Sequence, residues 1–287
     1  DRGCVVHPFG GAGNRSLFAV FDGHGEHGQD VSEFVAEHVV ERLEERLIDD
    51  SGDAKHALVA TFADVDFALR KSRVEAHYSG TTAVVVYRDG QKLYTANAGD
   101  SRAILARRVE GKLQALPLSK DHNPDLPDER ARIVAAGGYV SDAPEVGLSA
   151  RVWLDKAHTQ VGLAMARSIG DNAVTAVGVI SLPEVTEHVL LPNDEFLIAA
   201  TDGVWEFITN DEAIDLVAAH LALEPPSAKV ACERLIQLAV ARWKAIEGDY
   251  RDDITCIVMD CRALYSTASA DAPAPPSAQA SAPAPAQ

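Results

Sequence analysis

Three apolar segments of this chain meet an acid at one end. Phe18-Ala19-Val20-Phe21 runs into Asp22-Gly23, and Ile198-Ala199-Ala200-Thr201 runs into Asp202-Gly203. Asp252-Asp253 leads into Ile254-Thr255-Cys256-Ile257-Val258, and Asn97-Ala98-Gly99-Asp100-Ser101-Arg102 is a fourth case. Packed sheets align their strand ends, so acids placed there converge on one rim. Convergent carboxylates repel one another unless cations sit between them. Hard oxygen ligands favour Mg²⁺ or Mn²⁺ over zinc. A glycine after the acid lets the backbone approach closely and leaves its carbonyl available as a ligand. Asp-Gly is also the commonest turn dipeptide. For Asp89-Gly90, between two strand-like runs, a hairpin turn is the reading. Repetition at apolar strand ends is what favours metal for the others. His24, beside Asp22, has the neutral-pH titration that suits proton donation to a leaving group. His27 follows in a polar turn and reads as a surface residue.

The remaining pattern predicts antiparallel sheets with covering helices. Val31, Phe34, Val35, Val39, Leu43 and Leu47 recur at helical spacing, as does the run from Ala57 to Leu69. Thr81 to Tyr87, Lys92 to Ala98, Arg102 to Ala106 and Lys112 to Leu118 read as a meander, because the connections are too short for crossover helices. Pro127 to Ala136 reads as a short helix stopped by Gly137-Gly138. Val140 to Val161 has no clear period and reads as a long surface loop or lid. Thr209-Asn210-Asp211-Glu212 is a capping box opening a helix, and Ser227 to Ile246 is a further amphipathic helix. Ile254 to Met259 is a last strand. The Ala/Pro/Ser-rich segment 264–287 cannot bury apolar surface and is expected to be a disordered tail. Hairpins mixed with helices predict an α+β fold.

Composition narrows the function. The 287 residues carry a net charge of −17, which disfavours binding to a nucleic-acid backbone. No apolar run is long enough to span a bilayer. The four scattered cysteines, with no C-x-x-C, argue against a disulfide framework and for an intracellular compartment, cytoplasmic or nuclear.

Seven segments in order, FAVFDGHGEHG, SGTTAVVVYRDGQKLYTANAGDSRAIL, LSKDHNPDLPDERARIVAAGG, GLAMARSIGD, PEV, IAATDGVWEFITNDEA and RDDITCIVM, give the chain its family likeness. It resembles the metal-dependent protein Ser/Thr phosphatases of type 2C from Asp1 to about Cys261. The resemblance implies a sandwich of two antiparallel β-sheets flanked by α-helices, a four-layer αββα arrangement, with residues 1–263 as its catalytic domain. It implies a monomer that hydrolyses phosphoserine and phosphothreonine in signalling phosphoproteins, through a water or hydroxide bridging two Mg²⁺ or Mn²⁺ ions. Asp22 is implied to bridge the ions, the Gly23 carbonyl to bind the first, and Asp202 and Asp252 to bind the second. Asp100 is implied to hold a weaker third ion with Asp202. His24 is implied to protonate the departing oxygen.

Asp253 stands where the family usually has Asn, and the resemblance leaves Asp252 as the ligand. Asp171 matches a motif position with no assigned ligand role. Asp1 matches an acid that hydrogen-bonds metal-bound water. The acid's usual neighbour and a phosphate-contacting base are then expected upstream of it, in a first motif that is cut. The segment from about Gly138 to Thr159 matches a flap beside the active site, with Arg151 to Leu154 docking on the domain. The alternative reading is a pseudophosphatase: the same fold as a binding or scaffold module.

Overall fold

The computed structural model describes residues 1–49, 52–144, 149–262 and 264; most of the expected tail lies outside them. In chain order the elements are β1 (Arg2–Val6), β2 (Arg15–Phe21), β3 (Gly23–His24), α1 (Gly28–Asp49), α2 (Ala54–Lys71), β4 (Gly80–Thr81), β5 (Ala83–Asp89), β6 (Lys92–Ala98), β7 (Arg102–Val109) and β8 (Lys112–Pro117). There follow α3 (Pro127–Ala135), β9 (Tyr139–Ser141), β10 (Arg151–Trp153), β11 (Val161–Leu163), β12 (Ile169–Gly170), α4 (Asn172–Thr175), β13 (Glu184–Val189), β14 (Asp194–Ala200), α5 (Asp202–Trp205), α6 (Asn210–Leu221), α7 (Ala228–Ile246) and β15 (Cys256–Asp260). Among the described residues no helix is long and apolar enough to cross a membrane.

Two antiparallel sheets, ordered β1-β2-β5-β6-β13 and β15-β14-β7-β8, stack face to face. Their central strands are apolar on both faces because both faces are covered. On β2, Leu17, Ala19 and Phe21 pack with Val35, Leu58 and Phe62 of α1 and α2. Phe18 and Val20 point the other way and meet Leu105 and Leu197 of the second sheet. On β14, Phe196, Ile198 and Ala200 face Ile214, Leu235 and Ala239 of α6 and α7. Three apolar layers therefore separate helices, sheet, sheet and helices, as the expected αββα sandwich requires.

Helix starts follow local chemistry. Asp53 accepts from Lys55 N and His56 N before α2, and Thr209 accepts from Glu212 N before α6. These caps satisfy amide groups with no partner inside the helix.

The expected meander is corrected at one point. β5–β6 and β7–β8 are hairpins, but β6 and β7 belong to different sheets. The link Gly99-Asp100-Ser101 carries the chain across the sandwich instead of turning it back. Gly99 has φ +121, and a Cβ there would stand 2.6 Å from Thr82 Cβ, so glycine is needed for this crossing. The crossing lifts Asp100 to the same end as Asp22.

The expected lid also has structure of its own. Arg151–Trp153 is the centre of a small antiparallel sheet, β11-β10-β9. Val152 packs with Ile133, Ala166 and Val174, which docks the flap on the body as expected. Trp153 stays within the flap, donating its Nε1–H to Ser141 Oγ at 3.0 Å and stacking on His158.

Candidate active site

Asp22 leaves the end of β2 immediately after buried Phe21. Its N–H donates to Thr82 Oγ1 at 3.0 Å, and Thr82 N–H returns a bond to the Asp22 carbonyl at 2.9 Å. Thr82 Oγ1 also lies 2.6 Å from Ser101 Oγ. One buried threonine thus joins the strand end carrying Asp22 to the crossing that carries Asp100.

Gly23 then pairs opposite Thr81 and runs hard against the start of α1. A Cβ at Gly23 would overlap the Gly28 carbonyl and stand 2.8 Å from Ser32 Oγ. The obstruction is backbone, which cannot rotate away. Gly23→Ala is therefore expected to push α1 off the strand end and to destabilise the fold by about 2–3 kcal/mol, within the range for overpacking. A denaturant midpoint unchanged from the unsubstituted chain would contradict this packing.

The opposite corner is built around Thr201. Its N–H donates to the Thr255 carbonyl at 3.0 Å, and its Oγ1 accepts from Thr255 N at 3.1 Å. The same hydroxyl donates to Asp1 Oδ2 at 3.1 Å. This knot joins β14, the approach to β15 and the residue before β1. It brings Asp1, Asp202 and Asp252 together from three distant parts of the sequence. Trp243 Nε1–H donates to the Gly203 carbonyl at 2.8 Å, which fixes α5 from α7. Asp253 N–H donates to Asp252 Oδ1 at 2.8 Å, while the Asp253 side chain is 74% exposed.

The carboxylates strain against one another. Burial pushes the Asp22 pKa well up, and Asp202 raises it further through charge and a shared hydrogen bond; Asp100 and Asp252 add to this. Burial first, then Asp202 and Asp121, push Asp100 to about 7. Burial and then Asp202 also raise Asp252. Arg102, two residues after Asp100, is committed elsewhere: it binds Asp121 through two bonds of 2.9 and 2.5 Å and Asn210 at 2.8 Å. Asp1 Oδ1, Asp100 Oδ1 and Asp202 Oδ1 are buried with no hydrogen-bond partner among the described residues.

Among the described residues, no three or more His, Cys, Asp or Glu side chains close around one point as a finished metal cage would. The acids are coupled instead through Asp202, whose charge acts on Asp22, Asp100 and Asp252. This suits a hard cation that keeps most of its waters and takes one or two carboxylates. Orphaned buried oxygens, mutual repulsion and an all-oxygen donor set fit Mg²⁺ or Mn²⁺.

His24 lies at the edge of this group. Its Nε2 is 2.7 Å from Asp171 Oδ2, and Ser168 Oγ donates to the same oxygen at 2.5 Å. Asp171 is buried in the left-handed region at φ +46, and its N–H is held by the Ser79 carbonyl at 2.9 Å. Burial would lower the His24 pKa, but the Asp171 carboxylate, together with the charges of Asp100 and Asp202, outweighs it and the net shift is upward. Asp171 is thus the partner that orients the imidazole. The sequence carries no signal of this, because the pair is 147 residues apart. The other ring nitrogen, Nδ1, is buried with no hydrogen-bond partner among the described residues. Beside the pair opens a cleft of about 330 Å³, lined by Tyr78 and by Arg151, Leu163 and Met165 of the flap region.

This two-sheet sandwich, with acids gathered at one end and a histidine at its rim, has counterparts among known proteins. The Protein phosphatase 2C family model matches residues 4–245. "Probable protein phosphatase 2C 73" of Arabidopsis thaliana is 41% identical over 75% of this chain and 56% of its own length. "Probable protein phosphatase 2C 64" of Oryza sativa subsp. japonica is 37% identical over 94% of this chain and 65% of its own length. Among solved structures, a serine-threonine phosphatase 2C from Toxoplasma gondii superposes with a TM-score of 0.73 at 20% identity, covering 86% of this chain and 85% of that one. A C. elegans sex determining protein gives 0.70 at 22% identity, over 88% of this chain and 58% of that one. The solved structures establish the shared fold. The chain belongs to the protein phosphatase 2C family. It spans 56% and 65% of the length of the two plant relatives above.

Proposed function

We propose that this chain hydrolyses phosphoserine and phosphothreonine in proteins with the help of Mg²⁺ or Mn²⁺. One observation carries the reading: buried carboxylates, coupled through Asp202, are gathered at one end of the sandwich, where burial and mutual repulsion raise their pKa values. Asp22, Asp202 and Asp252, with the Gly23 carbonyl, would hold two ions, and Asp100 a weaker third. Ions held there would lower the pKa of a water molecule and offset the charge developing on phosphate oxygens. Asp1, through Oδ1, would orient a water at the Thr201 corner. His24 is held by Asp171 at Nε2, so Nδ1 is the atom that delivers a proton to the departing serine or threonine oxygen. A module used only for binding gains nothing from carboxylates that repel one another in this way, and the scaffold reading has no such observation in its favour.

The proton-delivery step has its own test. His24→Gln is expected to lower kcat on a phosphothreonine peptide by 10²–10⁴-fold, the range for a positioned general acid. On an aryl phosphate, whose leaving group needs no proton, the loss is expected to be under tenfold. Equal losses on both substrates would remove His24 from that role.

A further inference from the structure

α7 and β15 lie side by side, and each brings one cysteine to the seam. Cys232 sits one turn into α7, and Cys256 is the first residue of β15. Their sulfurs are 2.9 Å apart. Cys232 Sγ also lies 3.2 Å from the Cys256 carbonyl, and Cys256 Sγ lies 3.7 Å from the Cys232 carbonyl. Both side chains are part-exposed, whereas Cys261 is fully buried. The proposed hydrolysis uses neither thiol.

We propose that Cys232 and Cys256 form an oxidation site, which a hydroperoxide converts to an intramolecular disulfide joining α7 to β15. The Cys232 sulfur, as thiolate, attacks one peroxide oxygen. The O–O bond breaks, one water leaves, and Cys232 becomes a sulfenic acid. The Cys256 sulfur then attacks Cys232 Sγ; the S–S bond forms, the S–O bond breaks, and a second water leaves. Two thiols and one H₂O₂ give one disulfide and two waters, with two electrons passing from sulfur to the peroxide. A dithiol reductant reverses the step.

Chemistry favours Cys232 as the attacking sulfur, since the hydrogen bond from Cys256 lowers its pKa. The other two cysteines are poor competitors: burial pushes Cys4 to about 11 and Cys261 to about 12. Position gives the bond its consequence. Cys256 pairs in register with Ala200, two residues before Asp202, and follows Asp252 by four. The cross-link therefore closes on the corner that carries two of the proposed ligands.

The test treats the chain with graded H₂O₂, labels remaining thiols with N-ethylmaleimide and cleaves before aspartates. That cleavage leaves Cys256 in the fragment Asp253 to Met259, apart from Cys261. Cys232 and Cys256 are expected to lose label together and to yield one linked fragment pair, two hydrogens lighter, that dithiothreitol dissolves. Cys4 and Cys261 are expected to keep their label at that dose. In Cys232→Ser, Cys256 is expected to stay labelled; should that variant not fold, Cys256→Ala is expected to stop at a dimedone-trapped sulfenic acid on Cys232. Full labelling of both cysteines, or linkage of either to Cys4, Cys261 or a second chain, would overturn the proposal. So would loss of label at Cys256 in Cys232→Ser.

Discussion

Asp202→Asn is expected to abolish phosphate release, lowering kcat on a phosphothreonine peptide by at least about 10³-fold, the scale of losing a main electrostatic element of a transition state. The same change is expected to stabilise the metal-free fold. Asp202 raises the pKa of Asp22 by charge and by a shared hydrogen bond, and it also raises Asp100 and Asp252. Replacing one anion with an amide of equal shape relieves that repulsion. The variant is therefore expected to melt at a higher temperature than the unsubstituted chain when both are free of metal. Addition of Mn²⁺ is expected to raise the melting temperature of the unsubstituted chain and to do little for the variant. A variant that is both inactive and more stable without metal separates a functional acid from a structural one. A variant that is inactive because it unfolds would contradict this assignment.

Glu129→Ala is expected to cost about 3–5 kcal/mol, the range for breaking a buried ion pair. Its side chain is 4% exposed and lies 2.6 Å from Arg167 and 2.7 Å from Arg132. Burial alone would raise its pKa, but the two guanidiniums overcome this and hold it at about 2. A depressed carboxylate pKa stabilises the fold above its unfolded value, near 4.5. That contribution is lost as pH falls from about 4.5 through about 2. Stability measured in urea across this window is expected to decline less steeply in the variant than in the unsubstituted chain. Parallel curves would show that Glu129 titrates normally. The pair also reaches the site, because Arg167 opens the Arg167-Ser168-Ile169-Gly170-Asp171 segment that presents Asp171 to His24. Activity is therefore expected to fall along with stability.

How much of this could be read beforehand depends on how far apart the partners lie. β2, β5 and β14 announce themselves as unbroken apolar runs, since both faces of each are covered. The helices announce themselves through their stripes and caps. β13 escaped detection: it is an edge strand whose Glu184, Thr186 and Glu187 give it no apolar alternation. The strands of the flap are three residues long and cannot show a period. The crossing at Gly99 looks like any glycine turn until Thr82 is seen beside it. Glu129 lies one helical turn from Arg132, but its stronger commitment is to Arg167, 38 residues on. Asp22, Asp100, Asp202 and Asp252 stand out as candidates for a local reason, since each lies near the end of an apolar strand, whereas Asp1 precedes a half-exposed one. Their helpers, Thr82, Thr201 and Asp171, act through contacts that only folding creates.

Phosphate release from a phosphothreonine peptide, followed with Mn²⁺ present, after EDTA and after Mn²⁺ is restored, tests the central claim most directly. Steady release with Mn²⁺, none with EDTA and recovery on restoration is the predicted result. Release that persists undiminished in EDTA would contradict an acid cluster assembled to hold cations.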